Sequence, residues 1–360
     1  MKLLVTGNGF DLAHGLPVKY TDMLDALFDP TLYKKNHPTY SLDWLGAASK
    51  EKYSNVELFQ HFNSCRNLTG WAGFENELQS IINYFVSYNL QSQHSSPFSS
   101  SRNNSSEIQY LQLGSIYINY ITKNTSLAWK QLSEQLNEIC NFINLYITNL
   151  KMDLYSIPNL NALRPIYSEK YGLYLTFNYS DTFQQNFNTL TKLLSISGNS
   201  FLSSNPVDKH SHFIHGLAGS SRSSQQNTGS LSPLVLGIHN DVSKIDPSDI
   251  DQINRLPFEK SYQRIQKQTG RKYRQWFENP SHEYGNYSSI FTDIYGHSLD
   301  VADHDVLNFI IEHSKTSRIF YLNQTDYEQK IINLVKMYGS MTEVEDRFYS
   351  GKILFEQIPT

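Results

Sequence analysis

Apolar residues change their period along this chain, and the change divides it. Residues 2–6, Lys-Leu-Leu-Val-Thr, are a short apolar run ended by Gly7-Asn8-Gly9, which predicts a buried strand and a tight turn. From Tyr20 to Phe28 the spacing predicts a short helix with Thr21 as its N-cap. Further on the period is helical: Phe74, Leu78, Ile81, Ile82 and Phe85, then Leu132, Leu136, Ile139, Ile143 and Ile147. A Ser/Asn run over 91–106 interrupts this pattern and reads as a flexible loop.

From Tyr171 strands and helices alternate again. Residues 172–177 are strand-like and meet Asn178, and a helix capped near Ser180 or Asp181 runs to about Leu194. Phe213-Ile214-His215-Gly216 ends another short strand. After a second low-complexity segment, 219–232, come apolar residues 234–238 and a basic helical stretch over 256–277. Strands follow at 289–295 and 318–322, each with a helix after it. The alternation predicts an α/β fold with a mostly parallel sheet and helices on both faces. Residues 1–30 and 166–360 would share that sheet as a split core, and 31–165 would be a large helical insertion.

Composition narrows the function classes. At about 150 residues per domain, 360 residues fit two units or one core with an insertion. A 13% aromatic content supplies a core and excludes a disordered chain. The net charge of −4 argues against a general binder of nucleic acid or membrane surfaces. The exception is the basic run from Arg255 to Arg274, for which a solvated helix face is the plainer account. Two cysteines, Cys65 and Cys140, with no CxxC spacing, point to a reducing compartment. With no apolar run of about 18 residues and too short an apolar N-terminus for a secretory signal, a soluble, cytoplasmic protein without membrane contact is expected.

Polar residues at strand ends are the candidates for chemistry, because the carboxyl ends of parallel strands face the ligand crevice. Gly7, Asn8, Gly9, Phe10 and Asp11, with Gly15 following, form a glycine-rich turn that would let backbone approach a pyrophosphate at a helix N-terminus. Asn178, followed by Tyr179, offers an acceptor and two donors for a ribose hydroxyl or a water. His215 is suited to general base chemistry near neutral pH. Gly296, His297 and Ser298 end a later strand; the acidic residues after them, Asp303 and Asp305, suffice as a helix cap. His210 and His212 fall on one strand face and His215 on the other, so no metal is expected.

Taken in order, these segments resemble a known family. Gly7-Asn8-Gly9-Phe10-Asp11-Leu12-Ala13-His14-Gly15-Leu16-Pro17, then Tyr20 and Asp22, resemble the opening of the bacterial AbiH proteins, associated with abortive infection against bacteriophage. Trp71-Ala72-Gly73-Phe74-Glu75, Thr176-Phe177-Asn178-Tyr179, Ile214-His215-Gly216, Leu236-Gly237-Ile238 and Tyr295-Gly296-His297-Ser298-Leu299 are similar to that family's later landmarks. More distantly, the same order resembles the sirtuin-like, Rossmann-like NAD-binding core.

That resemblance implies NAD as substrate or ligand. Gly7 to Asp11 and Gly15 would surround its diphosphate and nicotinamide ribose. Asn178 and Tyr179 would hold the ribose and a water, His215 would be the base, and Gly296 to Ser298 would border the adenosine. Protein-deacylating sirtuins carry a four-cysteine zinc module that two cysteines cannot supply. The expectation is therefore hydrolysis of the nicotinamide–ribose bond by an antiphage effector. A non-enzymatic sensor of NAD or ADP-ribose that gates a partner is the alternative, and action on nucleic acid ranks last. A phage-derived trigger or another defence protein, and a homo-oligomer, are expected partners by analogy.

Overall fold

Leu3, Leu4 and Val5 are wholly buried, so the strand they form must be covered on both faces. In the computed structural model this strand, β1 (Lys2–Thr6), lies inside a six-stranded sheet. Its other strands are β2 (Leu173–Thr176), β3 (Ser211–Phe213), β4 (Phe291–Tyr295), β5 (Thr316–Tyr321) and β6 (Ile353–Gln357). Their order is β3-β2-β1-β4-β5-β6, and every neighbouring pair is parallel. The fold is mixed α/β with an all-parallel sheet. The structure describes residues 1–65, 70–94, 111–122, 124–152, 157–194, 210–220, 232–239, 246, 248–278 and 290–359.

The chain divides into two compact units. The sheet unit comprises Met1–Val18, Leu150–Ser220 and Thr269–Thr360, and the helical unit Lys19–Asn149 and Ser221–Gln268.

In the sheet unit the two-residue period sorts side chains by face. Leu3, Val5, Leu173, Leu175, Ile294 and Ile319 pack with Trp276, Leu307, Ile310 and Leu334. Leu4, Tyr174, Tyr295 and Phe320 face the other way, onto Phe10, Leu163, Ile166, Phe183 and Leu190. Each such side chain contributes about 1.5–3 kcal/mol by leaving water. The covering helices follow the winding. Leu160–Tyr167 and Thr182–Leu193 cover the second face on the way from β1 to β3. Lys272–Glu278, His304–His313 and Gln324–Tyr338 place residues on the first face around β4 to β6. The winding therefore reverses between β1 and β4, where the carboxyl ends of two adjacent strands leave a crevice.

The helical unit keeps the apolar stripes read from the sequence. Phe74, Leu78, Ile81, Ile82 and Phe85 are buried, as are Leu132, Leu136, Ile139 and Ile143. Tyr146 rather than Ile147 completes the second stripe. Several expectations are corrected. The helix Tyr20–Phe28 is capped at Lys19, whose N–H donates to the Asp22 carboxylate, so Thr21 lies inside the first turn. The helix Gly70–His94 runs through the first residues of the supposed loop. The remainder of that loop, 95–106, and most of 219–232 lie outside the described residues.

The basic stretch is broken into Lys260–Gln266 and Lys272–Glu278, with Gln268 and Gly270 at φ of 52° and 79° between them. Two of its lysines are buried: Lys260 pairs with Glu75 at 2.8 Å, and Lys267 donates to Leu234 O. It is not a continuous charged face. Residues 234–238 form no strand of the sheet; they run beside the helix Lys260–Gln266, held by Gln263, and share one bridge, Ile238 with Glu259. No helix among the described residues is long and apolar enough to cross a membrane.

Candidate active site

The crevice begins with β1. Gly7 caps the six-residue helix Asn8–Ala13. Gly7 N–H donates to Tyr295 O at 3.1 Å, and Gly9 N–H to Gly296 O at 2.8 Å. A Cβ on Gly7 would lie 2.7 Å from His297 Cα, and one on Gly9 2.8 Å from Gly296 Cα. These glycines thus allow the β1 turn to meet the β4 turn backbone to backbone, and that contact occupies both amides. Gly15 has a positive φ of 77° at the end of the same helix, while Asn8 is half-buried in its first turn. Phe10 points into the core, against His14, Phe183 and Tyr295. Burial lowers the His14 pKa to about 4, and the ring bonds to Phe10 O and the Tyr167 hydroxyl. Phe10 and His14 support the turn from below.

Asp11 is the polar residue this turn buries, at 2% exposure. The Ser180 hydroxyl donates to its Oδ2. Burial raises its pKa to about 6, against the opposing effect of Ser180, Thr182 and Asn178. Asp11 Oδ1 and Asn178 Nδ2 are both buried and fall outside hydrogen-bond geometry, although the Asn178 side chain lies near enough to Asp11 to help hold its carboxyl pKa down. Unpaired buried polar atoms are costly, about 1–3 kcal/mol each, so a buried acceptor and a buried donor left unmatched mark a place for a ligand.

The carboxyl shift predicts a pH dependence. With the folded pKa near 6 and the ordinary value at 3.8, the native state holds its proton longer than the unfolded chain. The associated stability is full below about pH 4 and is lost as pH rises through 6, a loss of about 3 kcal/mol. Asp11→Asn is expected to be more stable than wild type at pH 7.5 by up to about that amount, and level with it near pH 4. Urea unfolding at the two pH values measures this; an equal difference at both would refute it.

Asn178 and His215 come together through strand pairing. Thr176 is in register with Phe213, and each candidate lies two residues beyond its strand's paired position. Asn178 N–H donates to Thr176 Oγ1, which fixes the turn after β2. Tyr179 O accepts from Ala218 N–H, which ties that turn to the residues after His215. His215 Nδ1 lies 3.1 Å from Phe177 O, and Nε2 lies 3.0 Å from Asp303 Oδ1. His212 is structural: Nε2–H donates to Thr269 O, and Nδ1 accepts from Tyr273 N–H.

Asp303 is the residue that the sequence assigns only to a helix cap. It begins the helix His304–His313 but makes no side-chain cap bond, so capping does not explain it. Its other oxygen, Oδ2, lies 3.6 Å from His297 Nε2. His297 Nδ1 accepts from Leu299 N–H, which leaves the ring proton on Nε2, toward Asp303. One buried carboxylate thus joins His215 to His297. The turn carrying His297 is unusual: Gly296 has φ 68° and Leu299, a non-glycine, φ 60°. The helix Gln324–Tyr338 holds it, with Lys330 Nζ donating to His297 O and Asn333 Nδ2 to Ser298 O, both at 2.9 Å. Lys330 also pairs with Asp326 at 2.8 Å, and burial pulls its pKa down.

A cavity of about 610 Å³ opens at the carboxyl ends of β4, β5 and β6. Its walls include Leu12, Tyr295, Phe320 and Ile358, and its polar groups include Ser298, Asp326 and Lys330. Gly9, Gly296, His297 and Ser298 border it, whereas Asn178 and His215 are not among its lining residues. The candidates therefore form two parts, a polar cluster at β1–β3 and a cavity at β4–β6, joined through Asp303 and His297. No curated protein and no solved structure matches the chain. A family model described as bacteriophage abortive infection AbiH matches residues 3–323, and the chain belongs to that family.

Proposed function

We propose that this AbiH chain is an antiphage effector that hydrolyses the nicotinamide–ribose bond of NAD at a Rossmann-like, sirtuin-like crevice. The observation that carries the proposal is the buried neighbouring pair Asp11 and Asn178, whose Oδ1 and Nδ2 fall outside hydrogen-bond geometry and offer an acceptor and a donor suited to a ribose hydroxyl and a water. The strand order, reversing between β1 and β4, is that of dinucleotide-binding sheets. The cavity falls within the usual size of a small-molecule site, about 300–1,000 Å³, and its apolar walls suit an adenine. The pyrophosphate would find the Gly7 and Gly9 amides already taken; Lys330 is the cation among the described residues lining the cavity.

Cleavage requires little covalent chemistry. The ribose–nitrogen bond breaks with its electron pair leaving on neutral nicotinamide. Water adds to the oxocarbenium-like carbon and its proton passes to a base. Asn178 orients the water, His215 is the base, and the Asp303 carboxylate offsets the positive charge that forms on the imidazole. Asp11 holds the ribose. Holding these groups in place supplies much of the acceleration.

A second reading, a nucleotide sensor without turnover, is favoured by one detail: both nitrogens of His215 lie within 3.1 Å of protein oxygens. Titrating NAD into wild type and Asn178→Ala, while following both the unfolding midpoint and nicotinamide release, separates the two. Hydrolysis predicts a ligand-induced shift and release by wild type, with release lost in Asn178→Ala. A shift without release in either protein assigns the sensor. No shift and no release would end the nucleotide assignment.

A further inference from the structure

We propose that His61, Cys65 and Glu77 bind a zinc-class transition-metal ion in the helical unit, a site independent of the nucleotide assignment. His61 lies in the helix Glu57–Ser64, and Cys65 is the residue that ends it. Four residues apart, they stand one above the other on the same helical face. Glu77 comes from the helix Gly70–His94. His61 Nε2 lies 2.7 Å from Glu77 Oε1 and 3.8 Å from Cys65 Sγ. All three donor atoms lie within 4.8 Å of one another.

The geometry separates this cluster from two simpler arrangements. In a nucleophile–base–carboxylate triad, the thiol and the carboxylate flank opposite nitrogens of the imidazole. Here both approach Nε2, so Glu77 occupies the position from which His61 would deprotonate Cys65. A hydrogen-bonded His–Glu pair accounts for the 2.7 Å contact, and the sulfur has the Ser64 hydroxyl at 3.7 Å besides His61 Nε2, but neither contact uses all three donors together. Three donor atoms within 4.8 Å of one another, brought from two helices, are close enough to share a cation.

The donor set selects the ion. Imidazole nitrogen, thiolate sulfur and carboxylate oxygen suit zinc, whereas magnesium and calcium take oxygen. Tetrahedral bonds to zinc place neighbouring donor atoms about 3.3–3.6 Å apart. Replacing the proton between His61 and Glu77 by the metal therefore widens that contact by roughly half an ångström and draws the sulfur slightly closer. His61 and Glu77 are buried, while Cys65 is half-exposed, which leaves an open side for entry and for a water as fourth ligand. The Ser64 hydroxyl donates to His61 O at 2.7 Å and fixes the last helical turn. Binding releases the thiol proton to solvent, and the Nε2 proton of neutral His61 moves to Nδ1 as the metal takes its place.

The test uses the full-length chain, stripped with a chelator and titrated with Zn²⁺ and Co²⁺. One equivalent of Zn²⁺ is expected to bind and raise the unfolding midpoint. Co²⁺ is expected to give a thiolate charge-transfer band and the strong visible bands of a tetrahedral site. Cys65→Ser should abolish the charge-transfer band and the stabilisation, while Cys140→Ser, which alters the other, buried cysteine, should retain both; Glu77→Gln should weaken binding at least tenfold. A wild type without the band, or a band that persists in Cys65→Ser, would overturn the proposal.

Discussion

Replacing His215 with alanine is expected to lower nicotinamide release from NAD by about 10²- to 10⁴-fold, the usual contribution of a positioned general base. The loss should fall on kcat with KM little changed, because His215 acts on the proton of the attacking water rather than on substrate held in the ground state. Nucleotide-induced stabilisation should survive, since Asp11, Asn178 and the cavity are untouched. Asp303→Asn keeps the shape of its partner but removes the carboxylate that lies 3.0 Å from His215 and 3.6 Å from His297. It should reproduce most of the kinetic loss. A His215→Ala variant that releases nicotinamide at the wild-type rate would remove His215 from the chemistry and leave Asp11 as the remaining base.

The second large effect concerns folding. Gly296→Ala would place a Cβ 2.2 Å from Phe10 N and 2.6 Å from Gly9 C, at a φ of 68°. The clashing atoms are backbone, so no side chain can swing away. Relief requires the β1 and β4 turns to separate, which breaks the bond from Gly9 N–H to Gly296 O. The expected cost is about 4 kcal/mol or more. Gly339→Ala is the control, because it has nearly the same φ, 70°, with nothing within 4 Å of its Cβ. That substitution should cost only about 1 kcal/mol, the price of the left-handed conformation. Denaturant unfolding of the two variants decides the point: equal losses would show that the turn-to-turn contact is unimportant.

Much of this architecture is legible along the chain because parallel strands covered on both faces read as apolar runs. Residues 2–6, 172–177 and 318–322 all carry that signal. The last strand, Ile353–Gln357, does not: it lies at the sheet edge, where Leu354 is exposed and the run is short. Asn178 and His215 stand out because each is polar at the end of an apolar run. Asp303 does not, since its role depends on His215, far away in sequence, and its neighbours suggest an ordinary helix start. The glycines of the first turn predict close approach, yet what approaches is the backbone of Gly296 and His297. Lys330 and Glu77 are hidden for the same reason as Asp303: each sits on a regular helix, and only the fold supplies its partner.

The central claim is that the crevice hydrolyses NAD. The most direct measurement follows NAD and nicotinamide in ¹⁸O-labelled water with purified wild type, His215→Ala and Asn178→Ala. Wild type should release nicotinamide and leave one solvent oxygen on the ribose of ADP-ribose, while both folded variants fall to background. NAD left intact by wild type, or consumed equally by all three proteins, would contradict the account.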